Sequence, residues 1–315
     1  MSTYQTLKGL KIKYLTTDTS GDRIKEGELF YNSIAGKLKS YLAAGAWHSG
    51  ANLLTSRSNG GGAGTTTAGL NIGGNIGPSD TQTTFTEEYD GSGFTVGGAL
   101  PAARRSMAAS GTQTAAIASG GFGPPTQDKA ESFTYDGTSF TEIPSINTTR
   151  QGMDNNGAGT TTAALVCGGL VTGTGVIDDT EEYNGSAWSE QNDLNTARAR
   201  GSNIGSQTAA LFCGGSEPSV SAHSEEYNGT SWTEGNNLNT ARKELGGAGT
   251  QTSATIAGGS TGSVSNVVEQ YDGTSWTTIP ATLGTARTSL TPTNPSPIAS
   301  SEAVKIVCSA SSRTL

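Results

Sequence analysis

The chain is 315 residues long, with 27 acidic and 19 basic side chains, a net charge of −8, and 45 glycines. This acidic balance, without clustered Lys and Arg, argues against a nucleic-acid partner, because neutralising a phosphate backbone takes concentrated positive charge. There is no apolar run long enough to cross a membrane, and residues 1–8 lack the apolar segment of a signal peptide, so no membrane insertion is expected and synthesis is expected in the cytoplasm.

Residues 1–28 match no repeat: short apolar pieces (Leu10, Ile12, Leu15) are followed by a polar turn through Asp18, Ser20, Gly21 and Asp22. Next, Gly27-Glu28-Leu29-Phe30-Tyr31-Asn32 and Gly36-Lys37-Leu38-Lys39-Ser40-Tyr41 bracket a short turn, and Trp47 follows. A periodic signal then takes over. Tyr89-Asp90-Gly91 leads to Phe94, Tyr135-Asp136-Gly137 to Phe140, Tyr183-Asn184-Gly185 to Trp188, Tyr227-Asn228-Gly229 to Trp232, and Tyr271-Asp272-Gly273 to Trp276. These tyrosines lie 46, 48, 44 and 44 residues apart, and Tyr41 precedes Tyr89 by 48. Asn-Gly and Asp-Gly favour two-residue type I′ turns, so each copy is expected to be a β-hairpin with an aromatic on either side of the turn.

The rest of each period is equally regular. After the hairpin comes an apolar residue and, four positions on, an arginine: Arg57, Arg104, Arg150, Arg198, Arg242 and Arg287. A polar turn of the type Gly111-Thr112-Gln113-Thr114 follows, then a small-apolar strand ending in a glycine pair such as Gly120-Gly121, Gly168-Gly169 or Gly214-Gly215. A loop that differs from unit to unit leads to the next tyrosine. Each unit therefore reads as four antiparallel strands, the blade of a β-propeller. Tyr41 and Trp47 supply a third and fourth strand with nothing before them. Arg287 and the segment Ala303-Val304-Lys305-Ile306-Val307-Cys308 supply a first and second with nothing after. Joined, they give a sixth blade and leave no free sheet edge.

The order of glycine pair, Tyr-Asp or Tyr-Asn, Trp and arginine resembles the kelch repeat over residues 36–315. That resemblance implies an all-β, six-bladed kelch-like β-propeller, its last blade shared between N- and C-terminal strands, preceded by a short N-terminal appendage at 1–35. Glu26-Gly27-Glu28-Leu29-Phe30-Tyr31-Asn32-Ser33, with Gly36-Lys37-Leu38-Lys39 and Trp47, looks like a short hairpin common in tail-fibre and other virion proteins of tailed bacteriophages. It implies a non-enzymatic virion protein, of tail-fibre or tail-tip type and present in multiple copies. Residues 1–35 would join other virion proteins, and the propeller would meet a host-surface glycan or protein. The alternatives are a head-decoration or tail-scaffold propeller that binds only virion proteins, and a carbohydrate-active enzyme.

Candidate chemistry is sparse. His48 and His223 sit in unrelated positions and no Cys or His pair has ligand spacing, so no metal and no cofactor are expected. Cys167, Cys213 and Cys308 occupy matching places in three repeats, which predicts separate buried thiols. Glu87-Glu88, Glu181-Glu182 and Glu225-Glu226 alternate across a strand and are expected on a solvated face rather than as acid/base couples. Asp178-Asp179 offers too few oxygens for Ca²⁺. The glycine pairs lack the Gly-Lys-Ser/Thr sequence and helix of a phosphate loop, and their expected role is structural. No catalytic residue is expected. The variable loops at 75–86, 122–130, 170–180, 216–224 and 260–266 share one face, the candidate recognition surface. The six arginines are expected as a ring at the mouth of the central channel on that face, either tying blades together or holding an anion.

Overall fold

The computed structural model describes residues 13–15, 29–32, 37–40, 47, 50–77, 81–125, 127–154 and 157–290. Among them every regular element is a β-strand. The chain divides into two compact units, Met1–Ala46 and Trp47–Leu315. In the first, Lys13–Leu15 runs parallel to Leu29–Asn32, which pairs antiparallel with Lys37–Ser40.

The second unit contains five four-stranded antiparallel sheets, each with its strands in chain order. Sheet I comprises Gly61–Gly64, Gly69–Ile72, Thr86–Tyr89 and Phe94–Val96. Sheet II comprises Ala108–Thr112, Ala115–Ser119, Ser132–Tyr135 and Phe140–Ile143. Sheet III comprises Gly157–Thr160, Ala163–Cys167, Thr180–Tyr183 and Trp188–Glu190. Sheet IV comprises Ser202–Ser206, Ala209–Cys213, Ser224–Tyr227 and Trp232–Glu234. Sheet V comprises Gly246–Thr250, Ser253–Ala257, Val268–Tyr271 and Trp276–Thr278. The segment 303–308, Tyr41, His48 and Cys308 lie outside the described residues.

First strands of consecutive sheets pack against each other, from sheet I through to sheet V. This explains their glycine and alanine content: a Cβ built on Gly157 would stand 2.6 Å from the Ala109 carbonyl oxygen of the neighbouring first strand. Larger residues return on the second to fourth strands, where apolar clusters form between adjacent sheets. Leu70 and Ile72 of sheet I bury with Phe133 and Tyr135 of sheet II, and Leu211 and Cys213 of sheet IV with Ile256 and Trp276 of sheet V. Burying such a side chain contributes about 1.5–3 kcal/mol. The core is thus distributed over the sheet-to-sheet junctions.

The tyrosine hairpins are present with a different turn from the expected one. Tyr89 pairs with Phe94, and the rings lie 4.9 Å apart. The loop is Asp90-Gly91-Ser92-Gly93, in which Asp90 Oδ1 accepts the Ser92 and Gly93 N–H groups at 2.8 Å. These donors hold the Asp90 carboxyl down to about 2. Asn184 caps its turn in the same way, accepting from Ser186 and Ala187. A type I′ turn requires two residues at positive φ, whereas here the Asx side chain closes the loop and only the glycine (Gly91, φ 95°) is left-handed.

The variable loops fold back on themselves and on the arginine segments. Arg57–Ser58 pairs with Asn75–Ile76, which pairs with Thr81–Gln82. Bridges at Arg105↔Phe122, Gln151↔Leu170, Ala199↔Ser216 and Lys243↔Ser260 repeat that arrangement.

Candidate functional site

Five of the six arginines are buried beneath the surface. Arg57, Arg150, Arg198 and Arg242 are at most 1% exposed and Arg104 is 3% exposed, while Arg287 is half-buried. Each buried guanidinium reaches into the sheet its residue precedes. Arg198 donates from Nη2 to Glu225 at 2.6 Å and from Nη1 to the carbonyls of His223 at 2.7 Å and Gly214 at 3.4 Å. Arg242 meets Glu269 at 2.7 Å and the carbonyls of Val267 and Gly258. Arg57 pairs with Glu87 and Arg150 with Glu181. Burial lowers the Arg57 and Arg242 pKa values, opposed by their glutamates.

In sheet II, Phe133 occupies the place of the glutamate. Arg104 lies over its ring at 4.7 Å and pairs at 3.2 Å with the more exposed Glu131. The arginine backbone faces the other way. Carbonyls of Arg104, Arg150, Arg198, Arg242 and Arg287 accept the N–H of Gly74, Gly121, Gly169, Gly215 and Gly259 in the preceding sheet. Arg104, Arg150, Arg198 and Arg242 are therefore junctions, each with its side chain in one sheet and its carbonyl on the previous one.

The glutamate pairs are corrected accordingly. They are not a solvated face. The first member takes the arginine, and its second oxygen binds the incoming chain, as Glu181 does for the Asn147 N–H and Glu225 for the Asn195 N–H. The second member faces away and accepts a tyrosine hydroxyl from the next sheet: Tyr135 to Glu88 at 2.5 Å and Tyr271 to Glu226 at 2.6 Å. Burial and Glu88 push the Tyr135 hydroxyl up to about 12. Strand alternation sends the two carboxylates to opposite sides, where each meets a partner that the sequence places tens of residues away.

The cavity at the start of the first strands is lined two residues beyond the arginines. Asn59, Ser106, Gly152, Arg200, Glu244 and Ser289 all lie there, with Ser58, Arg105, Gln151, Asp154, Val264, Ala286, Arg287 and Thr288, around a volume of about 440 Å³. Of the six arginines singled out above, only Arg287 lines it. The six equivalent residues share a left-handed backbone, with φ between 52° and 65°. Hydrogen bonds link them in series: Ser106 N to Asn59 O, Met153 N to Ser106 O, Arg200 N to Gly152 O, Glu244 N to Arg200 O and Ser289 N to Glu244 O. Asn59 Nδ2 donates to Ser289 Oγ at 3.4 Å, so the last member meets the first.

Side chains complete this polar network. Asn59 also donates to Asp154 at 3.3 Å. Glu244 accepts from Thr288 Oγ1 at 2.8 Å and stands 3.4 Å from Arg200 Nη1. Burial, and then the Glu244 charge, raise the Asp154 carboxyl above its ordinary value. Left-handed backbone costs an L-residue roughly 1–2 kcal/mol, and such strain collects at functional sites. All five non-glycine residues with positive φ among the described residues line this cavity.

At the opposite end of the first strands, Gly64-Thr65, Gly111-Thr112, Gly159-Thr160, Gly205-Ser206 and Gly249-Thr250 line a second cavity of about 440 Å³. Its lining repeats from sheet to sheet and carries no charge. The glutamine of the adjacent turn was not singled out from sequence, and it proves to be a staple. Gln207 donates to the Ala164 and Tyr183 carbonyls of the preceding sheet, and Gln113 of sheet II and Gln251 of sheet V do the same to the sheets before them. Its signal lay in the Gly-Thr-Gln-Thr repeat.

The remaining candidates are separate. His223 Nδ1 lies 3.0 Å from Glu217. Cys167 and Cys213 are free, buried thiols, and burial pushes Cys213 up to about 12. The Asp179 carbonyl accepts from Arg150 at 2.8 Å. Among the described residues no three His, Cys, Asp or Glu side chains form a metal-holding group. Neither models of known protein families nor curated proteins give a match to this chain.

Proposed function

We propose that this chain is a non-enzymatic binding module: a closed, six-bladed kelch-like β-propeller carried on a tailed-phage particle, joined to other virion proteins by residues 1–35 and presenting its loop face to the host surface. Three contacts support a sixth blade between sheets V and I. Trp276 Nε1 bonds Ser224 of the preceding sheet at 2.9 Å, and Trp232 Nε1 bonds Thr180 of its preceding sheet at 3.0 Å. Trp47 packs on the cluster of Val268, which stands in sheet V where Thr180 and Ser224 stand in theirs, as a tryptophan of the following blade would, and its Nε1 donates to the Ala281 carbonyl at 3.2 Å. Glu87 receives the Leu54 and Thr55 N–H groups in the way Glu181 receives those of Asn147 and Thr148. The Asn59–Ser289 contact brings the two ends of the series together.

The binding reading is carried by one observation, the concentration around a polar cavity on the loop face of all the left-handed non-glycine residues among the described residues. A scaffold alone would be served there by glycine, as Gly152 demonstrates in the same series. The virion reading rests on the likeness of residues 26–47. The test is an array of bacterial surface polysaccharides probed with the purified chain, with a reducing-end assay in parallel. Binding to a subset without depolymerisation is expected. Release of reducing ends, or binding to none of the polymers, would overturn it.

A further inference from the structure

Four large apolar side chains are exposed among the described residues, and three of them gather at one place on sheet I. Val96 is 79% exposed, Leu54 59% and Phe85 47%. Glu87 fixes their grouping. Val96 is its partner on the neighbouring strand, Phe85 lies two residues before it and so on the same face of the sheet, and its carboxylate accepts the Leu54 N–H at 2.7 Å. None of the three lines the loop-face cavity.

The repeat shows what these positions carry elsewhere. By strand register, Glu142, Glu190, Glu234 and Thr278 stand where Val96 does. Asn147, Asn195 and Asn239 stand where Leu54 does, each giving its N–H to the glutamate of its sheet. Glu131, Asp179, His223 and Val267 stand where Phe85 does, each accepting from the first glycine of a pair. Val267 apart, all are polar. Sheets III and IV have a sheet packed on either side, yet Asn147, Glu190, Asn195 and Glu234 are exposed there and Asp179 and His223 half-buried. A neighbouring blade therefore does not cover these positions, and completing a sixth blade would leave the apolar group of sheet I on the surface.

Its chemistry and place suit a second copy of the chain. Phe94–Val96 is the outermost strand of its sheet, and outer strands commonly carry charge that blocks pairing with another molecule. Glu142, Glu190 and Glu234 supply that charge in sheets II, III and IV. A two-fold axis at any of those edges would set a glutamate against its own copy, like charge to like charge, whereas Val96 and Leu54 would meet apolar equivalents. In a chain of net charge −8, the edge of sheet I lets two copies meet without that repulsion and buries apolar surface when they do.

We propose that Leu54, Phe85 and Val96 form a self-association surface, which pairs two copies of the chain about a two-fold axis. Three side chains are far fewer than the roughly 20–30 residues each partner gives to a stable complex, so the dimer is weak and reversible. Sedimentation velocity of the full chain from micromolar to millimolar concentration tests this. A monomer–dimer equilibrium is expected, with the dimer populated at the upper end. Val96→Glu and, separately, Leu54→Asn install the residues that serve sheets III and IV at these places, so the fold should tolerate them. Each should weaken dimerisation at least tenfold with the melting temperature unchanged. Glu190→Gln, at the matching position of sheet III, should dimerise like wild type. A chain that is monomeric throughout the range, which would leave the surface to a different partner or to none, overturns the proposal. So does dimerisation that both variants keep, or growth beyond dimers with concentration, which a closed two-fold pair does not allow.

Discussion

At the scale of single residues the molecule depends on buried charge held by geometry. Arg198 is fully buried, with Glu225, three carbonyls and the Phe212 ring at 4.8 Å as its surroundings. Its truncation leaves the Glu225 carboxylate buried with only the Asn195 donors, and an uncompensated buried charge costs about 3–5 kcal/mol. Arg198→Ala should lose stability on that scale in urea unfolding, and adding Glu225→Gln should recover part of it. A variant as stable as wild type would refute the junction role. Asp154 gives a prediction of the opposite kind. Its surroundings are Ser106, Asn59, Arg200 and Glu244, and burial followed by the Glu244 charge raises its pKa. An acid with a raised folded pKa binds its proton more tightly in the native chain. Its contribution is therefore full at low pH and declines as pH climbs from the ordinary carboxylate range through the folded value. Asp154→Asn removes the titration. The stability of that variant relative to wild type should rise with pH across this window, and a difference that stays constant with pH would show that Asp154 is not the responsible group.

At the scale of elements, much of the fold was legible in the sequence because the repeat exposes its local rules. Glycine pairs end the second strands, aromatic pairs flank the Asx-Gly turns, and arginines precede the first strands, since each feature answers a constraint set within a few residues. Gly168, for instance, has φ 60°, and a Cβ on it would meet the Arg198 carbonyl oxygen at 2.3 Å. What could not be read were partners set by the approach of one sheet to another. Glu226 looks like a solvated strand residue until the next sheet brings the Tyr271 hydroxyl against it at 2.6 Å. Gln207 reads as a turn residue until its amide is found between two carbonyls of the preceding sheet. The cavity escaped for a related reason. Its lining residues, Asn59, Ser106, Gly152, Arg200, Glu244 and Ser289, have nothing in common as side chains and share only a backbone conformation. The arginines two positions earlier are uniform in type and, Arg287 apart, buried, whereas the residues that face the open volume vary from unit to unit.

At the scale of the whole molecule, a core spread over sheet junctions makes stability a property of the complete series. Each sheet buries its apolar side chains against a neighbour, so the first and last sheets need a covering element. Trp47 covers part of sheet V, in the cluster that holds Ala257, Val268, Leu283 and Leu290, and it does so from 234 positions away in the chain, judged by its bond to Ala281. A sixth blade containing it would draw its inner strands from residues that follow Arg287, and the segment at 303–308 has the small-apolar pattern of a second strand. Removing residues 301–315 should therefore expose the facing surfaces of sheets I and V and the edges of the strands that remain. The expected result is a lower melting temperature, loss of a single cooperative transition, and concentration-dependent aggregation in light scattering. Removing residues 1–35 instead should leave melting within about 2–4 °C of the full chain, since a perturbation worth about 1 kcal/mol moves a domain of this size by no more than that. If the chain lacking 301–315 stays monomeric and melts like the full protein, the sixth blade does not draw on the C-terminal segment and the proposed closure fails.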